Sequence, residues 1–185
     1  MLKKFLILII LFLSFFLVSC WKKKNKEVFD VKFWNYVLQL DKDFYLVNIK
    51  NTYKDINIIY AYKWKPSNKH NNFAPSLLIW EYTKYYSKNS DKFFTTMIDK
   101  LNKFIVWTTI IDKWEFKVWK NKAYYIKYKV DDNIFWEKWQ NIYYWLQVYI
   151  IDNMDKKIYI ISYVTLEKDK IDNIFNNIKN LKVND

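Results

Sequence analysis

Nucleophilic chemistry in a protein needs a hydroxyl or thiol beside a base. This chain of 185 residues holds one cysteine, Cys20, and one histidine, His70. His70 lies in a polar stretch with Ser67 and Ser76 near it in sequence and no sharp elbow around either hydroxyl. It reads as an exposed loop histidine. One histidine and one cysteine cannot build the usual zinc site. Oxygen ligands are present in two short acidic turns, Asp131-Asp132-Asn133 and Asp152-Asn153-Met154-Asp155. Neither has the twelve-residue calcium-loop pattern, and both stand where a strand must turn. Asp131, Asp132, Glu137, Glu81 and Glu115 are the candidates for a paired-carboxylate hydrolase, with no spacing that selects two of them. Trp136, Trp139 and Trp145, with Tyr143 and Tyr144, would form an aromatic surface suited to sugar or peptide contact. No catalytic residue, metal ligand or cofactor site is assigned on these patterns, and the chain reads as a non-enzyme.

Cys20 has a different context. Lys3 and Lys4 open the chain, and Phe5 to Val18 is an apolar run broken only by Ser14. That run is short for a membrane span and has the length of a signal-peptide core. It ends in Leu17-Val18-Ser19-Cys20, which resembles the bacterial lipobox, in which the cysteine thiol is acylated and the chain is cleaved just ahead of it. The resemblance implies a lipoprotein signal peptide over residues 1–19 and lipidation of Cys20. Acyl chains there would hold the mature protein to membrane lipid, each buried methylene contributing about 0.8 kcal/mol. The expected location is extracytoplasmic, at a bacterial cell membrane or cell surface. Residues 20–30, with Lys22-Lys23-Lys24-Asn25-Lys26, read as a basic linker, and residues 31–185 as one folded domain.

The net charge is +12, and all 31 basic residues are lysine. Six of those lysines precede residue 27, where no acidic residue stands, so about half the charge belongs to the anchor and linker. Lysines interleaved with aromatics suit single-stranded nucleic acid. Phosphate readers favour the planar bidentate guanidinium, however, and the chain has no arginine. Nucleic acid is excluded as a partner.

Alternating or continuous apolar runs predict strands over Tyr36 to Leu40, Phe44 to Ile49, Ile56 to Tyr62, Leu77 to Thr83, Thr108 to Asp112 and Glu115 to Val118. Three longer ones follow, Ala123 to Val130, Ile142 to Ile151 and Ile158 to Val164. Asp152 to Lys156 and Lys120-Asn121-Lys122 read as hairpin connections. Helical spacing occurs twice. Phe93, Phe94, Met97, Ile98, Leu101, Phe104 and Ile105 form one stripe behind Ser90 and Asp91, and Ile171, Ile174, Phe175, Ile178 and Leu181 form another. Lys63 to Ser76 carries both prolines and His70 and reads as a long loop. The expected class is α+β, a largely antiparallel sheet flanked by helices.

The order of these elements is similar to that of the PsbP-like lipoproteins, whose α/β/α sandwich is also seen in Mog1-type proteins. The residues that carry the likeness are Ser76-Leu77-Leu78-Ile79, Leu101-Asn102-Lys103-Phe104-Ile105 and Ile110-Ile111-Asp112-Lys113. Lys122 to Tyr128, Lys157 to Tyr163 and the closing helix complete it, over about residues 36–182. The resemblance implies a non-catalytic accessory or binding domain, with a membrane protein complex as its kind of partner. No metal-binding position carries over.

One oddity bears on every turn. The chain has no glycine and ten tryptophans. Trp107 follows the first helix where a glycine cap is usual. Trp114 and Trp119 bracket Glu115 to Val118, Trp136 and Trp139 sit between two strands, and Trp21 follows Cys20. Bulky side chains suit turns poorly. Some bacteria with A/T-rich genomes read UGA as glycine, others as tryptophan. The pattern predicts that most of Trp21, Trp107, Trp114, Trp119, Trp136 and Trp139 are glycine in the cell. Trp34, Trp64, Trp80 and Trp145 stand outside that set.

Overall fold

The computed structural model describes residues 27–48, 56–64, 73–82, 90–104, 108–131, 142–153 and 156–183. Cys20, Trp21, the basic linker to Lys26, His70, Trp107 and the segment 132–141 lie outside them, as do the readings placed on those residues.

Two sheets and two helices form. β1 (Val28–Phe33) and β2 (Tyr36–Asp41) make a hairpin joined by β10 (Lys182–Val183), in the order β1-β2-β10. The larger sheet contains β3 (Phe44–Leu46), β4 (Ile56–Trp64), β5 (Ser76–Tyr82), β6 (Thr108–Val118), β7 (Asn121–Asp131), β8 (Ile142–Asp152) and β9 (Lys157–Thr165). Its order is β3-β4-β5-β9-β8-β7-β6, and every neighbouring pair is antiparallel. Helix α1 (Ser90–Phe104) and helix α2 (Lys168–Lys179) complete the described residues. The α+β class and the antiparallel sheet are as the periodicity required.

The layering follows from side-chain alternation along the strands. On one face Leu77, Ile79, Leu146, Val148, Ile150, Ile161 and Tyr163 are buried beneath α2 and the small sheet. The apolar stripe of α2, Ile171, Ile174, Phe175 and Ile178, closes that core. On the other face Tyr124, Ile126, Tyr149, Ile158 and Ile160 meet Phe93 and Ile98 of α1. Burying both faces of the central strands removes the polar alternation of a one-sided sheet, which is why β8 and β9 read as continuous apolar runs. Tyrosines fill much of the volume. Tyr36, Tyr128, Tyr149, Tyr159 and Tyr163 are fully buried, and Phe94 stacks on Tyr124 with centroids 4.4 Å apart.

Four differences from the sequence reading have physical causes. β1 opens at Val28, inside the stretch read as linker, and its alternation buries Val31 and Phe33. The lysine cluster before it masked that signal. Thr108 to Val118 is one strand instead of two, with an irregularity in pairing between Ile110 and Asp112. Trp114 therefore stands within a strand, and the turn expected there is absent. β3 ends at Leu46, because only Phe44 of its three residues is buried. Helix α2 stops at Lys179, and Lys182 and Val183 pair with Val37 and Tyr36.

Candidate functional site

A cleft with charged walls lies where α2 crosses the β6–β8 end of the large sheet. It encloses about 150 Å³ between Ile111, Asp112, Lys127, Tyr144, Lys168 and Asp172. The bulge at Ile111 builds it. With one extra residue in β6, Asp112 comes opposite Lys127 and turns toward α2. Lys127 Nζ then donates to Asp172 Oδ1 of α2 at 2.7 Å and lies 4.4 Å from the Phe175 ring centroid. The Tyr125 hydroxyl donates to Asp112 Oδ2 at 2.7 Å. Burial, and then the Asp112 carboxylate, push the Tyr125 hydroxyl up to about 12. It stays protonated at neutral pH and acts as a hydrogen-bond donor. Lys127 and Asp172 form an ion pair, so the cleft offers matched polar contacts.

A second cleft, about 170 Å³, opens between α1 and the opposite sheet face. Trp80, Met97, Leu101, Tyr149 and Ile160 line it, with Gln147 and Lys100 as its polar residues. The Tyr149 hydroxyl donates to Gln147 Oε1 at 2.5 Å. Its walls are mostly apolar, with Lys100 as the charged residue. At the start of α1, Asp91 accepts hydrogen bonds from Lys122 Nζ and the Tyr124 hydroxyl. These hold its carboxyl below the ordinary carboxylate range and raise the Lys122 ammonium.

The residues singled out in the sequence do not assemble. Glu81 lies on β5 and Glu115 on β6, with β9, β8 and β7 between them. Four strand spacings put them about 19 Å apart, against about 5–10 Å for a glycosidase pair. Glu81 is paired with Lys157 and Glu115 with Lys122, each at 3.0 Å. Asp131 ends β7, seven residues beyond Tyr124, the register partner of Glu115. The three described carboxylates thus form no catalytic pair, while Asp132 and Glu137 lie outside the described residues. Asp152 is fully buried at the end of β8, opposite Lys157. Among the described residues no three His, Cys, Asp or Glu side chains gather as a metal site.

The aromatic surface divides in the same way. Tyr144 packs against the α2-side core and Trp145 against the α1-side core, because successive strand residues point to opposite faces. Trp145 stacks on Tyr128 with the rings 5.9 Å apart and nearly parallel at 6°. Tyr143 touches Phe73 at 5.3 Å, joining the end of the long loop to the start of β8. Lys127 and Asp172 were missed from the sequence, since 45 residues separate them and neither belongs to a local pattern.

No known protein-family profile and no curated protein sequence matches the chain. Solved structures do. The cyanobacterial PsbP protein CyanoP from Synechocystis sp. PCC 6803 superposes with a TM-score of 0.54 at 11% identity, over 88% of this chain and 95% of that one. The yeast Saccharomyces cerevisiae Ran-binding protein Mog1p gives 0.54 at 7% identity, over 83% and 85%. The fold is PsbP/Mog1-like. A third PsbP/Mog1-like relative, LpqN from Mycobacterium tuberculosis, a protein involved in cell envelope biogenesis, gives 0.56 at 10% identity over 86% and 91%. These likenesses concern the fold, and the PsbP/Mog1-like sandwich sets where the two clefts lie, one under each helix.

Proposed function

We propose that the protein is a lipid-anchored extracytoplasmic module of a bacterial envelope, attached through acylated Cys20. Its PsbP/Mog1-like domain serves a membrane protein complex as a non-catalytic binding or accessory unit. The observation that carries this reading is the ordered series of basic start, apolar run, Ser19 and Cys20, followed after a short linker by β1 at Val28. The envelope association of LpqN supports it. Among the described residues no helix is long and apolar enough to cross a membrane.

The reading has an orientation. Val28 pairs with Asp41 at the end of the β1–β2 hairpin away from its tip at Trp34 and Asn35. The linker would hold that end toward the lipid, leaving the hairpin tips facing outward. The test is palmitate labelling and membrane fractionation in a bacterial host. The wild-type chain takes up label and sediments with membranes, and Cys20→Ser loses both. A Cys20→Ser protein that still fractionates with membranes overturns the anchor.

We infer also that the source organism reads UGA as glycine, so that most of Trp21, Trp107, Trp114, Trp119, Trp136 and Trp139 are glycine in the cell. The joint absence of glycine and excess of tryptophan support this. UGG codons at those positions overturn it.

A further inference from the structure

Two hairpins of this protein turn in two residues. Phe33 pairs with Tyr36 across Trp34-Asn35, and Val118 pairs with Asn121 across Trp119-Lys120. In both, the first central residue has positive φ, 50° at Trp34 and 53° at Trp119, and the second does not. That is the φ signature of a type II′ turn, whose first central position is the place of glycine in β-hairpins. The twist of the flanking strands demands it, because the primed turns match a right-handed ribbon and the ordinary ones splay it.

A Cβ at positive φ approaches the following carbonyl oxygen. Asn and Asp offset that cost with local hydrogen bonds, and tryptophan has no such means. Among the described non-glycine residues, three have positive φ, and two of them are tryptophans. The third is Lys156, at the end of the longer β8–β9 connection. Trp119 is half-exposed at 51%, and Trp34 is 38% exposed. The Lys120 ammonium lies over the Trp119 ring, 4.6 Å from its centroid. Trp34 does stack on Tyr159, with centroids 5.6 Å apart, so its ring has some packing to lose.

We propose that glycine occupies positions 34 and 119 in the native protein. The inference deepens the UGA reading, rests on it, and extends it to Trp34, which has no cap or acidic-turn context in the sequence. It also separates these two positions from Trp114, which lies within β6 without positive φ. A consequence is that the aromatic knobs on this end of the molecule are no ligand platform. The native tips present Asn35 and Lys120 beside bare backbone.

The decisive measurement is the peptide mass of the protein isolated from its source cells. The tryptic peptide 33–42 and a peptide spanning 119 carry glycine masses. Tryptophan masses in both overturn the proposal. Glycine at 107 or 136 together with tryptophan at 34 and 119 leaves the UGA reading standing and overturns this turn argument alone. A recombinant comparison supplies a second readout. At positive φ the glycine variant is the more stable of a Gly/Ala pair, so Trp119→Gly exceeds Trp119→Ala in folding equilibrium constant by about fivefold. The same order holds for Trp34→Gly over Trp34→Ala, while at Trp114 the order reverses, since glycine weakens a strand interior. Alanine equal to or better than glycine at both 34 and 119 overturns the proposal.

Discussion

Asn121 donates from its side-chain amide to the Tyr36 hydroxyl at 2.6 Å, a buried contact between residues 85 positions apart. Asn121 opens β7 just past one hairpin tip and Tyr36 opens β2 just past the other. The bond thus locks the small sheet onto the large one at their common end. Trp34 and Tyr159 stack beside it, and Tyr36 meets Tyr159 edge-on at 6.2 Å.

Removing the hydroxyl alone should cost more than removing both partners. Tyr36→Phe leaves the buried Asn121 amide without this acceptor, a penalty of about 1–3 kcal/mol. Urea unfolding of Tyr36→Phe, Asn121→Ala and the double variant measures the coupling. A double variant as unstable as the sum of the two singles would show that the bond contributes nothing.

The buried tyrosines make the fold sensitive to alkali. Burial raises the hydroxyls of Tyr36, Tyr128, Tyr149 and Tyr163 above their ordinary 10.0. Only the unfolded chain ionises them in the normal range. Their contribution is therefore fully present below pH 10 and is lost as pH climbs toward the raised folded values. The urea midpoint should hold steady to about pH 9 and fall beyond about pH 10. Phenolate absorbance should rise in step with loss of the fold. A set of tyrosines titrating normally in the intact protein would contradict this.

Asp91 fastens the start of α1 to β7 through Lys122 and Tyr124. Its carboxyl is held low, chiefly by the hydrogen bond from Lys122 and then by that from Tyr124. The fastening is present above the ordinary value of 3.8 and disappears as pH drops through the depressed one. Asp91→Asn at neutral pH should speed amide exchange in the first turns of α1 and leave β8 and β9 unchanged. Equal acceleration in the central strands would mean that α1 does not open separately.

Phe175 is the aromatic anchor of α2. It is 7% exposed, sits 4.3 Å from Tyr125 centroid to centroid and meets Phe116 edge-on at 5.5 Å. Phe175→Ala should cost about 3–5 kcal/mol in chemical denaturation. Lys127→Met, which keeps a side chain of similar length and discards the ammonium at the Phe175 ring and Asp172, should cost far less. The Asp172 partner is 59% exposed, so the ion pair is screened by solvent and contributes little.

The sequence by itself located strands β2 to β9, with β6 split in two, together with the two helices and the α+β class. Each announces itself within a dozen residues, through alternation in the strands or a three-to-four spacing in the helices. It also placed Cys20 behind its apolar run, a purely local signal. The two-residue β10 is too short to show a period, and β1 was hidden behind the lysines that precede it. Only the tertiary structure decided that Glu81 and Glu115 stand four strands apart, that Tyr144 and Trp145 face different cores, and that Lys127 meets Asp172. Those relations depend on strand order and on the bulge at Ile111, which are set by contacts between residues far apart in the chain. The turn at Trp34 is the sharpest case. Its residue type looks unremarkable in sequence, and the demand for glycine arises from the twist that two paired strands impose on the two residues joining them.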